Sequence, residues 1–265
     1  MKLKIGAVIV GVTVVLAVVS LVWTPQDPLL AVPAERLAGS SWEHPLGTDR
    51  LGRDVLSRIM AGAQITMLVG LVAVGVAAVF GTALGVWAGM RRGWPETLIM
   101  RGADIVLAFP ALLLAIVAGA VFGPSTVTSM LAIGVAGIPG FARVARAGTL
   151  QVMTQDYIAA ARVSKVPGPV IAWRHVLPNI GGMLVVQATV AFALAILAEA
   201  ALSFLGLGTA PPTPSWGRML QGAQAYLGSA PQLALWPGLA IAVAVLGFNL
   251  LGDGLRDALD PKRRR

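Results

Sequence analysis

Of the chain's 265 residues, 57% are hydrophobic and only 12% are charged, with a mean hydropathy of +0.80 and a net charge of +8. A soluble domain carries roughly 25% charged residues, so this composition excludes a water-soluble globule of this size. The absence of cysteine excludes a disulfide framework, an iron–sulfur cluster and a thiol nucleophile, and with only two histidines, His44 and His175, neither haem ligation nor a histidine-rich metal site is expected.

Six uncharged runs are long enough to consider as membrane helices, which need about 20 mostly apolar residues. The first, Ile5 to Trp23, follows Lys2 and Lys4; it is longer than the apolar core of a secretory signal, and Thr24-Pro25 stands where a small-residue cleavage site would lie. It reads as a retained span, so residues 1–23 form an N-terminal tail and first transmembrane helix. Residues 24–65 read as an extracytoplasmic segment with Pro-rich turns, then Gly47, Gly52 and the charges Asp49, Arg50, Arg53 and Asp54, which are expected to pair. Apolar residues at helical spacing from Leu51 to Ile65 predict an interfacial helix. Residues 66–265 read as a five-helix core. Its first span is expected over Thr66 to Met90, where Ala73, Ala77, Gly81, Gly85 and Gly89 recur every four residues and share one face for close helix packing.

The uncharged run from Ile105 to Ala142 is split by Gly123-Pro124-Ser125 into two helices joined by a hairpin. A fifth span is expected from Pro178-Asn179 to about Phe204 and a sixth from Leu233 to Gly252, with a tail over 253–265. Between them, Gly206 to Gln232 is rich in Gly and Pro, with Trp216 and Tyr226 expected as interface anchors. Six spans place both termini on one side, which collects 15 basic and 6 acidic residues against 5 and 5 on the other. Basic residues favour cytoplasmic loops, so both termini and the Arg143–Asn179 stretch are expected in the cytoplasm. The positive charge is then a topology signal, and no separate basic patch points to nucleic acid.

There is no G-x-x-x-x-G-K-[ST] phosphate loop, no internal repeat and no catalytic constellation at a shared membrane depth. The chain itself is therefore expected to be neither an enzyme nor a holder of metal or cofactor. Glu199 is the one acid inside a span. Because an acid there is costly, it reads either as a pathway or gate residue or as a structural hydrogen-bonded contact.

The loop 149–179 is long for a structureless connection. Gln155 to Lys165 predict a short helix, with Asp156 in its first turn and Lys165 at its end, as the helix dipole favours. Pro167-Gly168-Pro169 is expected to stop it. Ala159, Ala160 and Ala161, flanked by Tyr157 and Arg162, leave its middle bare for close docking against another surface. A second amphipathic piece, Val170 to Leu177, is expected to stop at Pro178.

The stretch D-Y-I-A-A-A-R (Asp156 to Arg162), followed by R-H-V-L-P-N (Arg174 to Asn179), resembles the coupling loop of ABC importer permeases. H-P-L-G-T-D-R-L-G-R-D-V-L-S-R (His44 to Arg58), E-A-A-L-S-F-L-G-L-G-T-A-P-P-T-P-S-W-G-R-M-L (Glu199 to Leu220) and L-R-D-A-L-D-P-K (Leu255 to Lys262) resemble, in family order, the dipeptide, oligopeptide and nickel permease group. The match is to the second of the two permease subunits. The resemblance implies an all-α bundle of six transmembrane helices with the type I importer permease fold, in the plasma (inner) membrane. It also implies a second homologous permease, two cytoplasmic ATPase subunits or domains that carry the ATP and magnesium, and an extracytoplasmic solute-binding protein that delivers dipeptides or short oligopeptides.

Nickel, glutathione or another peptide-like solute is the alternative cargo. Gln155, Asp156, Tyr157, Ala159, Ala160, Ala161, Arg162, Lys165 and Gly168 are the ATPase-coupling residues so implied. Two positions depart from the family: Ala159 stands where many members have Glu, and Lys165 where they have Gly, so Pro-Gly-Pro is expected to end the helix instead. A non-transporting membrane scaffold is the rival of a different class, and the long docking loop argues against it.

Overall fold

The computed structural model describes residues 1–259, and among these it is helical, the β-like pairing being a single bridge between Thr48 and Asp54. The ten helices are α1 (Lys2–Val19), α2 (Val55–Met90), α3 (Trp94–Ala108), α4 (Ala111–Phe122), α5 (Thr126–Val152), α6 (Asp156–Val163), α7 (Gly168–Ile171), α8 (Leu177–Phe204), α9 (Trp216–Ala223) and α10 (Gln232–Leu259). Five helical stretches are long and apolar enough to cross a membrane, and the bent pair α3–α4 makes a sixth if it is one broken span.

Close approaches at glycines give the directions. Gly6 lies on Leu250 and Leu251, and Gly254 lies on Leu3, so α1 and α10 run antiparallel and bring residues 1 and 254 to one end of the bundle. That end is called the termini end below. Gly81 packs on Ile138 and Phe141, Gly85 on Ala142 and Ala145, and Gly89 on Thr149, so α2 and α5 run parallel. The chain between them must return along the bundle, and α3–α4 is the segment that does so. The pair bends by 83° at Phe109-Pro110, a break the sequence reading does not anticipate. Proline pushes the residue before it out of helix, and Phe109 is extended, with φ −94° and ψ 134°. Gly123-Pro124-Ser125 makes the expected hairpin, and the Ser125 hydroxyl caps α5 by accepting from the Thr128 N–H at 3.0 Å.

Four expectations are corrected. No separate interfacial helix spans 51–65, because Val55 begins the same uninterrupted 36-residue helix that ends at Met90. At 1.5 Å rise per residue it is about 54 Å long, well beyond a hydrocarbon core of about 30 Å. Its first turns are laced to the preceding segment. Asp54 accepts from the Ser57 N–H (2.7 Å) and hydroxyl (2.6 Å), Gln26 N–H donates to Ser57 Oγ (2.9 Å), and Arg58 donates to the Pro28 carbonyl (3.0 Å).

Second, the piece before Pro178 does not stop there. Helix runs unbroken from Gly168 to Phe204 through a wider turn at Ala172–Val176, where Leu177 N–H reaches back to the Ala172 carbonyl. Pro178 has no N–H for the Arg174 carbonyl, and a local widening accommodates that loss. Third, residues 253–259 continue α10 rather than forming a tail, while 260–265, including the end of L-R-D-A-L-D-P-K, lie outside the described residues.

Trp216 is likewise no interface anchor. It is buried among Ala63, Ala193, Ile196 and Phe248, and its indole N–H donates to the Ile59 carbonyl at 2.9 Å. Tyr226 instead ties the two outer segments together, its hydroxyl accepting from Arg36 at 3.0 Å.

Candidate functional site

The sequence-predicted residues of loop 149–179 meet at the termini end of the bundle, where α5 ends and α8 begins. Helix α6 is shorter than expected, Asp156–Val163, with Gln155 at its N-cap position and Asp156 in the first turn. One residue the sequence reading passed over holds it in place: Ile158 is 0% exposed and packs with Val86, Ala145, Val152, Ile171, Val176 and Ile180. That cluster draws its other residues from α2, α5, α7 and the root of α8, and Ile158 is the buried side chain by which α6 joins it. Ile158 is the one large apolar residue on this face, its neighbour a turn later being the small Ala161, so periodicity gave little sign of it.

Around that anchor the other predicted residues divide by face. Ala161 is half-buried against the same cluster, so it belongs to the packing side and not to the bare face. Gln155, Asp156, Tyr157, Ala159, Ala160 and Arg162 are exposed. The Tyr157 ring lies 6.0 Å from the His175 ring, tilted by 41°.

Lys165 is not the last helical residue. It takes the left-handed conformation, φ +53°, with its N–H on the Arg162 carbonyl and Val166 N–H on the Ala161 carbonyl. This is the pattern that glycine usually serves at a helix end. The helix thus stops at Lys165 itself, before Pro-Gly-Pro. Gly168 opens α7 and, with Val79, Ala83, Trp87, Arg91 and Trp173, lines an apolar groove of about 680 Å³ between α7 and α2.

Large apolar side chains complete the exposed surface. Val163 is 84% and Trp173 77% exposed, with Val170 between them in the chain. Apolar side chains gathered on the polar end of a bundle mark a contact surface. Arg162, Lys165 and Arg174 are exposed in the same stretch of chain. The arrangement offers a short helix, joined to the bundle by one fully buried side chain, that leaves two alanines exposed.

Glu199 lies toward the other end of α8, apart from these residues. It is 1% exposed; Ser203 donates to Oε1 at 2.7 Å, and Thr209 Oγ1 lies 3.5 Å from the same oxygen. Thr209 N–H in turn donates to Ser203 Oγ at 3.0 Å, so the carboxyl group fastens the loop after α8 to its last turn. Its Oε2 is buried without a hydrogen-bond partner.

Residues 81–265 match the family model described as "Binding-protein-dependent transport system inner membrane component". The dipeptide transport system permease protein DppC of Alkalihalophilus pseudofirmus is 42% identical over 260 residues, 98% of this chain and 86% of that protein. The di/tripeptide transport system permease protein DppC of Pseudomonas aeruginosa is 43% identical over 244 residues, 90% and 80% of the two chains. The glutathione transport system permease protein GsiD of Pectobacterium atrosepticum is 42% identical over 261 residues, 97% and 87%. In fold, the chain is similar to one from the MetNI methionine ABC transporter solved in inward-facing conformations, with TM-score 0.64 and 17% identity, covering 76% of this chain and 96% of that one. The chain therefore belongs to the binding-protein-dependent transport system inner membrane component family and is a multi-pass ABC transporter permease.

Proposed function

We propose that this chain is one of two permease subunits of an ATP-driven importer of dipeptides, tripeptides or similar peptide-like solutes, glutathione among them. The second subunit is a homologous permease, and the two together form the pathway. Two cytoplasmic ATPase subunits carry the ATP and magnesium, and an extracytoplasmic binding protein supplies the solute. The observation that carries this reading is the seating of α6: Ile158 is fully buried in a cluster shared with residues of α2, α5 and α8, while Ala159 and Ala160 stay exposed. Two alanines let a groove of a partner ATPase close over the helix. Any push on α6 then passes through Ile158 to α2, α5 and α8 as a rigid-body displacement of packed helices. Glu199 bears on the opposite end, where the loop it fastens is a gate candidate.

The test is to purify the tagged protein in mild detergent with its companions, reconstitute the complex, and follow ATP hydrolysis and peptide import with candidate binding proteins. A second permease and ATPase chains should co-purify, and one peptide-loaded binding protein should stimulate hydrolysis. Ala160→Glu should abolish import while the subunits still assemble. Normal import by that variant, or a stable bundle recovered without any ATPase, overturns the reading and favours a scaffold.

A further inference from the structure

At the end of the bundle opposite the termini, the two outer segments enclose a polar pocket of about 170 Å³ with an excess of positive charge. Four arginines line it: Arg50, Arg53 and Arg58 from the first segment and the start of α2, and Arg218 from α9. The acid among the lining residues is Asp49 alone. Its hydrogen-bonding capacity is already taken. Oδ1 accepts from the N–H groups of Leu51 (2.7 Å) and Arg53 (3.1 Å), and Oδ2 accepts from Arg53 Nε (2.8 Å) and Nη2 (2.7 Å), with Arg58 Nε at 3.5 Å. Among the described residues, the guanidinium groups of Arg50 and Arg218 have neither an ion-pair nor a hydrogen-bond partner. Arg58 is buried, so part of this charge sits where water screens it poorly.

A concave, under-neutralised cluster of guanidiniums fits a carboxylate, which arginine binds with two parallel N–H donors. The size of the pocket identifies who presents it. Sites that enclose a small molecule run to roughly 300–1,000 Å³, and this one is smaller, with room for one side chain. We infer that the pocket receives an acidic side chain of the solute-binding protein, with Arg50 and Arg218 as the two docking cations. The inference rests on the importer reading above and adds the surface and the chemistry of the partner.

Arg50→Gln and Arg218→Gln break no ion pair or side-chain hydrogen bond within the described residues, so these variants are expected to keep the fold, checked by co-purification of the intact complex. In the reconstituted complex, with the binding protein identified by the stimulation assay, the double variant should raise the binding-protein concentration for half-maximal ATP hydrolysis about tenfold. The rate at saturation should be unchanged, since peripheral charge pairs act on encounter and affinity. The wild-type requirement should rise steeply with salt and that of the variant only weakly.

Three results overturn the inference. An unchanged requirement removes the docking role. An unchanged requirement with a lost preference for free over C-terminally amidated dipeptides assigns the pocket to the substrate's own carboxylate. Loss of the second permease from the purified variant assigns it to the subunit interface. If no binding protein stimulates the wild-type complex at all, the importer reading itself fails, a result distinct from these three.

Discussion

His44 sits between two carboxylates, its Nδ1 3.0 Å from Asp54 Oδ1 and its Nε2 3.1 Å from Glu35 Oε2. Desolvation opposes a charge on the ring, but the hydrogen bonds to Asp54 and Glu35 outweigh it and lift His44 above its ordinary 6.5. A raised value means the folded state binds the proton more tightly than the unfolded chain. The stabilisation is therefore complete below pH 6.5 and is lost as pH rises through the raised value. Protection of residues 33–54 from hydrogen exchange, taken relative to the intrinsic rate at each pH, should fall across that window, and His44→Gln should flatten the fall. Lys165 gives a second prediction. A non-glycine residue in the left-handed conformation costs about 1–2 kcal/mol, so Lys165→Gly should slow exchange of α6 by an amount equivalent to roughly 1 kcal/mol.

At this scale the sequence was informative where a residue acts through local chemistry: Asp156 in a first turn follows from the helix dipole. It was silent where the partner is distant. Nothing near His44 in the chain announces Glu35 as its second acceptor.

Between elements, the α2–α5 seam was legible from the four-residue repeat of small residues, because that spacing puts Ala73, Ala77, Gly81, Gly85 and Gly89 on one helical face, and all five are buried. A side chain at Gly85 would meet Ala145 Cβ at 2.7 Å and the Ala142 backbone. Gly85→Val should lower stability by about 1–3 kcal/mol or more, the range for overpacking, read as a lower unfolding midpoint in detergent. Gly75 on the same helix is exposed with open space around it. Gly75→Ala should raise the midpoint slightly, as removal of an interior helical glycine does.

The helix boundaries were less legible. The division at Thr66 came from bilayer thickness, a property of the solvent, and residues 55–90 contain no breaker to enforce it. Pro110 was a breaker in plain view, but a 38-residue uncharged run drew attention to the Gly-Pro-Ser turn instead. Ile158 could not be read as an anchor because its neighbours Val86, Ile171 and Ile180 arrive from three other elements. Ile158→Ala removes a fully buried side chain, worth about 2–5 kcal/mol. It should free α6 to exchange rapidly while leaving Ala159 and Ala160 chemically intact, and import should fall with it.

Across the described residues, the antiparallel pairing of α1 with α10 and the parallel pairing of α2 with α5 admit one arrangement: the start of α1, the end of α10 and α6 at one end, both outer segments at the other. The number of spans predicted this arrangement because each crossing reverses the chain, whether a span is straight or broken like α3–α4. Geometry alone leaves open which end faces the cytoplasm, and charge supplies a direction. Among the described residues the termini end carries 11 of the 16 lysines and arginines, and such a bias in short loops predicts that this end faces inward.

The chain contains no cysteine, so single cysteines report orientation on a clean background. Trp42, in the first outer segment, is 103% exposed, and Val163, the last residue of α6, is 84% exposed; replacing either removes little packing. In intact spheroplasts a membrane-impermeant maleimide should label Trp42→Cys and spare Val163→Cys until the membrane is opened. The reverse pattern would place α6 outside the cell, beyond the reach of any cytoplasmic ATPase, and with it would fall the coupling role of the anchored helix.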